Sequence, residues 1–327
     1  MLSGKHVLFI APNFFNYEED IVAELRSRGA DVDFISASPF KSPFLKAVIR
    51  LRRLWVVPFL EKYYHKKLLL LGKTNYDYIF VIKGETLSEN LLISLKEKYS
   101  AATFILYLWD SLENNVSLER NIKLFDRCFS FDQVDAEKYG FNYRPLFFGN
   151  GFKYRPMSQF KFALSFIGTA HSDRYSVLSR TFSMLPSHLV TYSYFFLQAP
   201  WVFYIRKLLT FTLPGAKVQD FNFHPMSKSD VQEVFDNSFA VFDIEHPLQR
   251  GLTMRSIEAL GAHKKLVTTN KSIVDEDFYN PQNIHILDRE DLLEIPVNFF
   301  GVPFQIVPEG IYYKYSISGW IDDIFEV

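Results

Sequence analysis

The run Phe239-Ala-Val-Phe-Asp-Ile-Glu-His-Pro-Leu-Gln-Arg-Gly-Leu-Thr-Met-Arg-Ser-Ile-Glu-Ala-Leu-Gly-Ala-His-Lys-Lys-Leu-Val-Thr-Thr-Asn270 decides the fold class. Phe239 to Phe242 reads as a buried strand, and a polar loop follows that closes at Gly251. Met254, Ile257 and Leu260 then fall on one face of a helix expected over 252–260, with Gly261 as its stop and Leu266 to Thr269 as a second strand. Strand, helix and strand in this order make a βαβ unit, whose crossover sets a helix start beside the carboxyl end of a parallel strand. Such a helix start attracts anions, because its unpaired N–H groups and the positive pole of its dipole point the same way. Arg255 near that start is disfavoured by ~0.3–1 kcal/mol unless an anion lies between them, and a diphosphate is such an anion. Glu258, three positions on, shares its face, and its carboxylate suits ribose hydroxyls. A plain ion pair between Arg255 and Glu258 on an ordinary α/β helix fits the same spacing.

Working outward, 327 residues that are 48% hydrophobic and 17% aromatic leave room for two domains. A formal net charge of -1 supplies no global field for nucleic acid. The single cysteine, Cys128, excludes an intrachain disulfide and a multi-cysteine zinc cage and suits a reducing compartment. It lies in the strand-like run 125–131, where a buried filler is expected rather than a catalytic thiol. No signal peptide opens the chain, and no apolar run approaches the ~20 residues of a spanning helix. A cytoplasmic protein is expected, with peripheral attachment to the inner face of the cytoplasmic membrane as an option.

Upstream, Val7–Ala11, a helix from Glu18 to Arg28 and Asp31–Ser36 form another βαβ opening, without a Gly-x-Gly-x-x-Gly loop. Strand Tyr78–Ile82 ends in Lys83-Gly84-Glu85, and strand Thr103–Leu108 ends in Trp109-Asp110-Ser111. Ligands of open parallel sheets sit beyond the carboxyl ends of the strands, so Lys83, Glu85 and Asp110 are the polar groups offered there. Asp110 is the candidate general base, work suited to a carboxylate whose pKa partial burial has raised. The competing reading has Asp110 capping a helix that starts near Leu112, Glu85 as a helix-start acid and Lys83 as an ion-pair partner. Between these parts, residues 41–71 set Lys46, Arg50, Arg52, Arg53, Lys62, Lys66 and Lys67 among Leu, Val, Trp55 and Phe59. That composition fits a helix in an anionic bilayer interface, and equally a helix pair with a solvated basic face or a contact with acidic glycan.

Pro145 to Gly151 carries the turn-formers of a domain boundary. Strand Ala163–Ile167 then runs into Gly168-Thr169-Ala170-His171-Ser172-Asp173-Arg174 and a helix from Tyr175 to Met184. Gly168 permits close backbone approach, and Thr169 with the helix start can meet a phosphate or sugar. Arg174 is a second cation at a helix start, so Arg174 and Arg255 are expected to converge on one diphosphate. The segment 200–214, with Arg206 and Lys207 amid Trp201, Phe203, Leu208 and Leu209, could touch a membrane, but it is short and is expected to pack as a helix. Asp243, Glu245 and His246 are spaced too loosely to count as a metal site, and Gln249 and Arg250 reach toward a donor sugar or its phosphates. Asp288-Arg289-Glu290 is read as the start of a short helix, and Tyr312 to Phe325 as the last one.

The run Gln249 to Gly261, followed by Lys264 to Asn270, resembles the donor-site segment of bacterial glycosyltransferases of GT-B architecture, nearest to the spore-maturation-protein-like and lipopolysaccharide or capsule-assembly branches. Tyr107-Leu108-Trp109-Asp110 resembles the same families. The resemblance implies an α/β chain of two Rossmann-like domains facing across a cleft, with 1–150 for the acceptor, 151–311 for the nucleotide sugar, and 312–327 as a helix returning to the first domain. It gives phosphate contacts to Gly251, Thr253 and Arg255, the ribose to Glu258, and a place near the nucleobase to the loop holding His224. It also implies a nucleotide-sugar substrate, a glycan or lipid-linked glycan acceptor, and no metal or other cofactor. One subgroup has two Glu flanking seven residues; the earlier position here is Arg250, so retention or inversion at the sugar is not implied. The expected activity is sugar transfer to a bacterial surface glycan (lipopolysaccharide, O-antigen or capsule). Rival readings are a nucleotide-sugar epimerase or hydrolase, and a non-catalytic sugar-binding or scaffold protein of polysaccharide assembly.

Overall fold

The computed structural model describes residues 2–37, 53–157, 159–209, 213, 215–247, 249–291 and 294–327. The chain forms two compact units, residues 1–145 with 317–327, and residues 146–316.

In the first unit the order is β1 (His6–Ala11), α1 (Tyr17–Ser27), β2 (Asp31–Ser36), α2 (Arg53–Leu71), β3 (Tyr78–Ile82), α3 (Glu89–Lys98), β4 (Thr103–Leu108), tight 3-10 turns over Leu112–Leu124, β5 (Arg127–Ser130), α4 (Gln133–Tyr139) and β6 (Asn142–Tyr143). The strands lie in the order β2-β1-β3-β4-β5-β6, all parallel. β3 and β4 are almost wholly apolar because helices cover both faces of such a sheet. Leu8, Ile10, Val81, Leu106 and Leu108 pack there against Leu91, Leu92 and Leu95 of α3 and Tyr64 and Leu68 of α2.

The second unit runs β7 (Phe162–Thr169), α5 (Arg174–Met184), β8 (Thr191–Phe196), α6 (Pro200–Leu209), β9 (Phe221–Asn222), α7 (Lys228–Asp236), β10 (Ser238–Asp243), α8 (Met254–Gly261), β11 (Lys265–Thr268), β12 (Ile284–Ile286) and α9 (Glu309–Tyr315). Its parallel sheet has the order β12-β11-β10-β7-β8-β9. Chain order reverses between β7 and β10, and in the first sheet between β1 and β3. Those reversals leave the crevices in which doubly wound sheets bind ligands.

Three expectations change. Residues 312–325 are not one helix: α9 stops at Tyr315, and α10 (Ile317–Phe325) belongs to the first unit. Trp320 of α10 is buried against Tyr107 and Phe80 at ring separations of 4.8 and 5.9 Å, and Arg28 pairs with Asp322. No helix begins at Asp288; its Oδ1 instead accepts the N–H groups of Glu290 and Asp291 in a turn. Gly261 is the last residue of α8 rather than its stop, and the left-handed position falls to His263 at φ 52°. The helix expected within 200–214 is α6, which buries Phe203. Of the basic segment, residues 41–52 lie outside the described residues; α2 buries Leu60, Tyr64 and Leu68 and exposes Phe59, Lys62, Lys66, Lys67, Leu69 and Leu70. No helix among the described residues is long and apolar enough to cross a membrane.

Candidate functional site

The crevice between β7 and β10 is built from two βα loops of the second unit. β7 delivers Gly168 and Thr169, and Arg174 opens α5. The Arg174 guanidinium folds back over the strand end, with Nε donating to the Ile244 carbonyl at 2.5 Å and Nη1 to the Thr169 carbonyl at 3.2 Å. Gly168 makes the room: a Cβ there would come within 3.3 Å of Nη1 and 2.8 Å of the Phe166 ring. Burial lowers the Arg174 pKa, Asp243 and Glu245 pull it back up, and Arg255 and Arg289 push it down. A guanidinium remains charged through such shifts. Arg174, Arg255 and Arg289 are thus close enough for their charges to oppose one another, and Arg174 bonds to carbonyls rather than to a carboxylate.

On the other side, β10 ends at buried Asp243, whose Oδ2 accepts from the hydroxyls of Thr253 and Ser256, each at 2.6 Å. Thr253 caps α8 by accepting the N–H groups of Arg255 and Ser256. Its hydroxyl, expected at a phosphate, is therefore committed to fixing the helix start. Arg255 pairs with Glu258 at 2.6 Å and lies over the Phe235 ring at 5.0 Å. Glu258 is buried beneath it, so the predicted shared face is real. The loop between is pinned: Gln249 donates to the Gly251 carbonyl, and Asn270 to the carbonyls of Arg250 and Gly251. Gly251 is buried, the Arg250 side chain is exposed, and His224 is exposed while its carbonyl accepts from Tyr194.

Arg289 is a residue the sequence reading missed. Its guanidinium grips Asp173 with two bonds of 2.7 Å and Glu245 with another of 2.7 Å. These bonds outweigh burial and raise its pKa. Glu245 also accepts from Thr269, so Arg289 ties the loops after β7, β10 and β12 together. Its partners lie 44 and 116 positions away in sequence, and no local pattern announces them. His171 stands 5.5 Å from His246, ring to ring. Burial, then Arg174, His246 and Arg206, push the His171 pKa down to about 3. Asp243, Glu245 and His246 do not converge, and no group of metal-ligating side chains occurs among the described residues.

In the first unit, the crevice between β1 and β3 is lined by Pro12, Phe14, Tyr17, Glu18, Lys83 and Trp109. Its walls are held in left-handed backbone at Phe15, Asn16 and Lys83, φ 51°, 62° and 67°, conformations that cost non-glycine residues strain and gather at working sites. Lys83 lies 3.3 Å from Asp110 and 5.6 Å from the Phe14 ring centre. The Asp110 side chain is half exposed. Its Oδ1 accepts the N–H of Ser111 at 3.1 Å, while the N–H of Leu112 is taken by buried Asp135 at 2.7 Å. Glu85 sits in the turn after Lys83, and α3 begins four residues later, capped by Ser88. Glu18, also unforeseen, is buried and accepts from the Phe14 N–H and the Asn13 amide.

No family model and no curated protein sequence matches the chain. Solved structures do. HepE of Anabaena, in complex with UDP and glucose, aligns with a TM-score of 0.59 at 12% identity over 98% of this chain and 99% of its own. AviGT4, a glycosyltransferase involved in avilamycin A biosynthesis, gives 0.56 at 9% identity over 98% and 96%. UDP-GlcNAc 2-epimerase from Neisseria meningitidis, bound to UDP-GlcNAc, gives 0.51 at 11% identity over 98% of both chains. At such identities the common property is architecture. The chain has the α/β fold of two Rossmann-like units found in GT-B glycosyltransferases.

Proposed function

We propose that this chain is a glycosyltransferase that moves a sugar from a nucleoside diphosphate to a hydroxyl of a bacterial surface glycan, of lipopolysaccharide, O-antigen or capsule type. The observation that carries the reading is Arg174, a guanidinium held by carbonyls over Gly168 in the β7/β10 crevice with N–H groups to spare. The donor diphosphate would lie against Arg174 and the start of α8, with Gly251 and Thr169 allowing close approach and Gln249 and Arg250 toward the sugar. Its arrival draws Arg255 off Glu258, and the freed carboxylate takes the ribose. His224 borders the nucleobase.

In the reaction the acceptor oxygen bonds to the anomeric carbon as the bond from that carbon to the diphosphate breaks. Fixed positive charge at Arg174 and the helix start stabilises the leaving oxygen, which is where preorganised donors act most strongly. If the sugar inverts, Asp110 takes the hydroxyl proton, with Lys83 holding its carboxylate and Glu85 near the acceptor. No metal or other cofactor enters this scheme. The protein works in the cytoplasm, and α2 gives it a basic and apolar face for a membrane bearing a lipid-linked acceptor.

The test is a thermal-shift screen with UDP, GDP, TDP and ADP. At least one should raise the melting temperature, Arg174→Ala should reduce that rise at equal nucleotide concentration, and Asp110→Ala should keep it. A flat response to all four removes the proposal and favours a scaffold role. The epimerase likeness supports a second reading, sugar rearrangement on the nucleotide; turnover of a nucleotide sugar with no acceptor present would select it.

A further inference from the structure

Two acids adjoin Arg174, yet its guanidinium bonds carbonyls. Asp173 precedes it in the chain, and Glu245 follows Ile244, whose carbonyl holds its Nε. A guanidinium favours a carboxylate over a carbonyl, because charge-assisted hydrogen bonds are roughly twice as strong as neutral ones. Both carboxylates are instead taken by Arg289. Its Nη1 donates to the two oxygens of Asp173 at 2.7 Å each, and its Nε and Nη2 donate to Oε1 of Glu245 at 3.3 and 2.7 Å. Nη2 also donates to the Glu245 carbonyl, and Oε2 of Glu245 accepts from the Thr269 hydroxyl at 2.5 Å. Every nitrogen of the Arg289 guanidinium is thus committed to these two residues.

We propose that Arg289 is a positioning residue for the anion site: by holding Asp173 and Glu245 it keeps their carboxylates off Arg174, which is left on carbonyls to receive an anion. The inference rests on the donor reading of Arg174. Glu245 is buried, and taking away the partner of a buried charge leaves it uncompensated. The nearby cation is then Arg174, on which Glu245 already acts by pulling its pKa up against burial. Paired in that way, Arg174 would meet a diphosphate only after breaking an ion pair.

The experiment is titration calorimetry of the full chain with whichever of UDP, GDP, TDP and ADP shifts wild-type melting most. Arg289→Ala should weaken binding by about tenfold or more, the scale set by losing charge-assisted bonds from Arg174. Adding Asp173→Asn and Glu245→Gln to that variant should bring the affinity back to within about threefold of wild type, because neutral amides compete poorly for a guanidinium. A residue that merely braced the loops would not be rescued by altering its own partners. Should Arg289→Ala fail to fold, Arg289→Lys takes its place with the same expectations, since one ammonium cannot present the fork that spans both carboxylates. Affinity equal to wild type in the single variant overturns the inference. So does a loss that the two amides leave unrepaired, which would give Arg289 its own hold on the anion or a bracing role. In both cases wild type still binds and the donor reading stands; wild type that binds none of the four nucleotides removes that reading and this inference together.

Discussion

At the residue scale, the molecule turns on what each cation already holds. Arg255 and Arg289 rest on carboxylates, whereas Arg174 rests on two carbonyls and can take an anion without breaking an ion pair. Hydrogen bonds to charged groups contribute about 1.5–3 kcal/mol, so Arg174→Ala should weaken nucleoside diphosphate binding roughly tenfold to a hundredfold in titration calorimetry. Arg174→Lys should rescue little, since one ammonium cannot bond both carbonyls and still present a planar fork. His171 gives a pH prediction. Its folded pKa, about 3, lies below the 6.5 of the free side chain. Between those values the unfolded chain binds a proton that the native state refuses, so stability falls as pH drops from 6.5 toward 3. In urea unfolding at pH 7 and pH 4.5, His171→Asn should lose less stability between the two than wild type; equal losses would remove His171 as a cause.

At the scale of elements, Gly261 separates two effects of opposite sign. In a helix, glycine to alanine gains up to about 1 kcal/mol from propensity. A Cβ at Gly261, however, would sit 2.4 Å from Cγ of Phe148, a buried ring near its own backbone. Overpacking of that kind costs about 1–3 kcal/mol, so Gly261→Ala should destabilise, read as a lower urea midpoint; a rise would mean that Phe148 moves freely. Much of this element was legible in sequence: the apolar period of Met254, Ile257 and Leu260 gave the helix and its buried face, and β1, β3 and β4 follow from largely unbroken apolar runs. The true role of Gly261 was not, because Phe148 lies 113 positions away. Arg289 was hidden for the same reason, since strand order sets its partners, and Glu18 because the loop that turns Asn13 and Phe14 onto it has no sequence signature. The composition of α6, apolar and basic, fits membrane contact and a packed helix alike, and only its packing shows which stripe faces out.

At the scale of the whole molecule, the first unit is discontinuous. Its sheet is made by residues 1–145, yet α10 comes from the last eleven residues of the chain. Trp320 is fully buried among Phe80 and Tyr107, Phe325 packs on Tyr78 and Phe80, and Arg144 pairs with Asp323 at 2.7 Å. Removing a buried Trp costs about 3–5 kcal/mol, a large part of a domain's ~5–15 kcal/mol. The second unit, by contrast, is a single stretch, 146–316, which carries every proposed donor contact. Trp320→Ala should therefore lower the melting of the first unit and leave the nucleoside diphosphate response of the second in place. Scanning calorimetry with and without the nucleotide separates the two: a ligand-dependent transition should persist while the other shifts down. Were the ligand response lost along with the first unit, donor binding would have to draw on both units, and the assignment of diphosphate contacts to Arg174 and the start of α8 alone would fall.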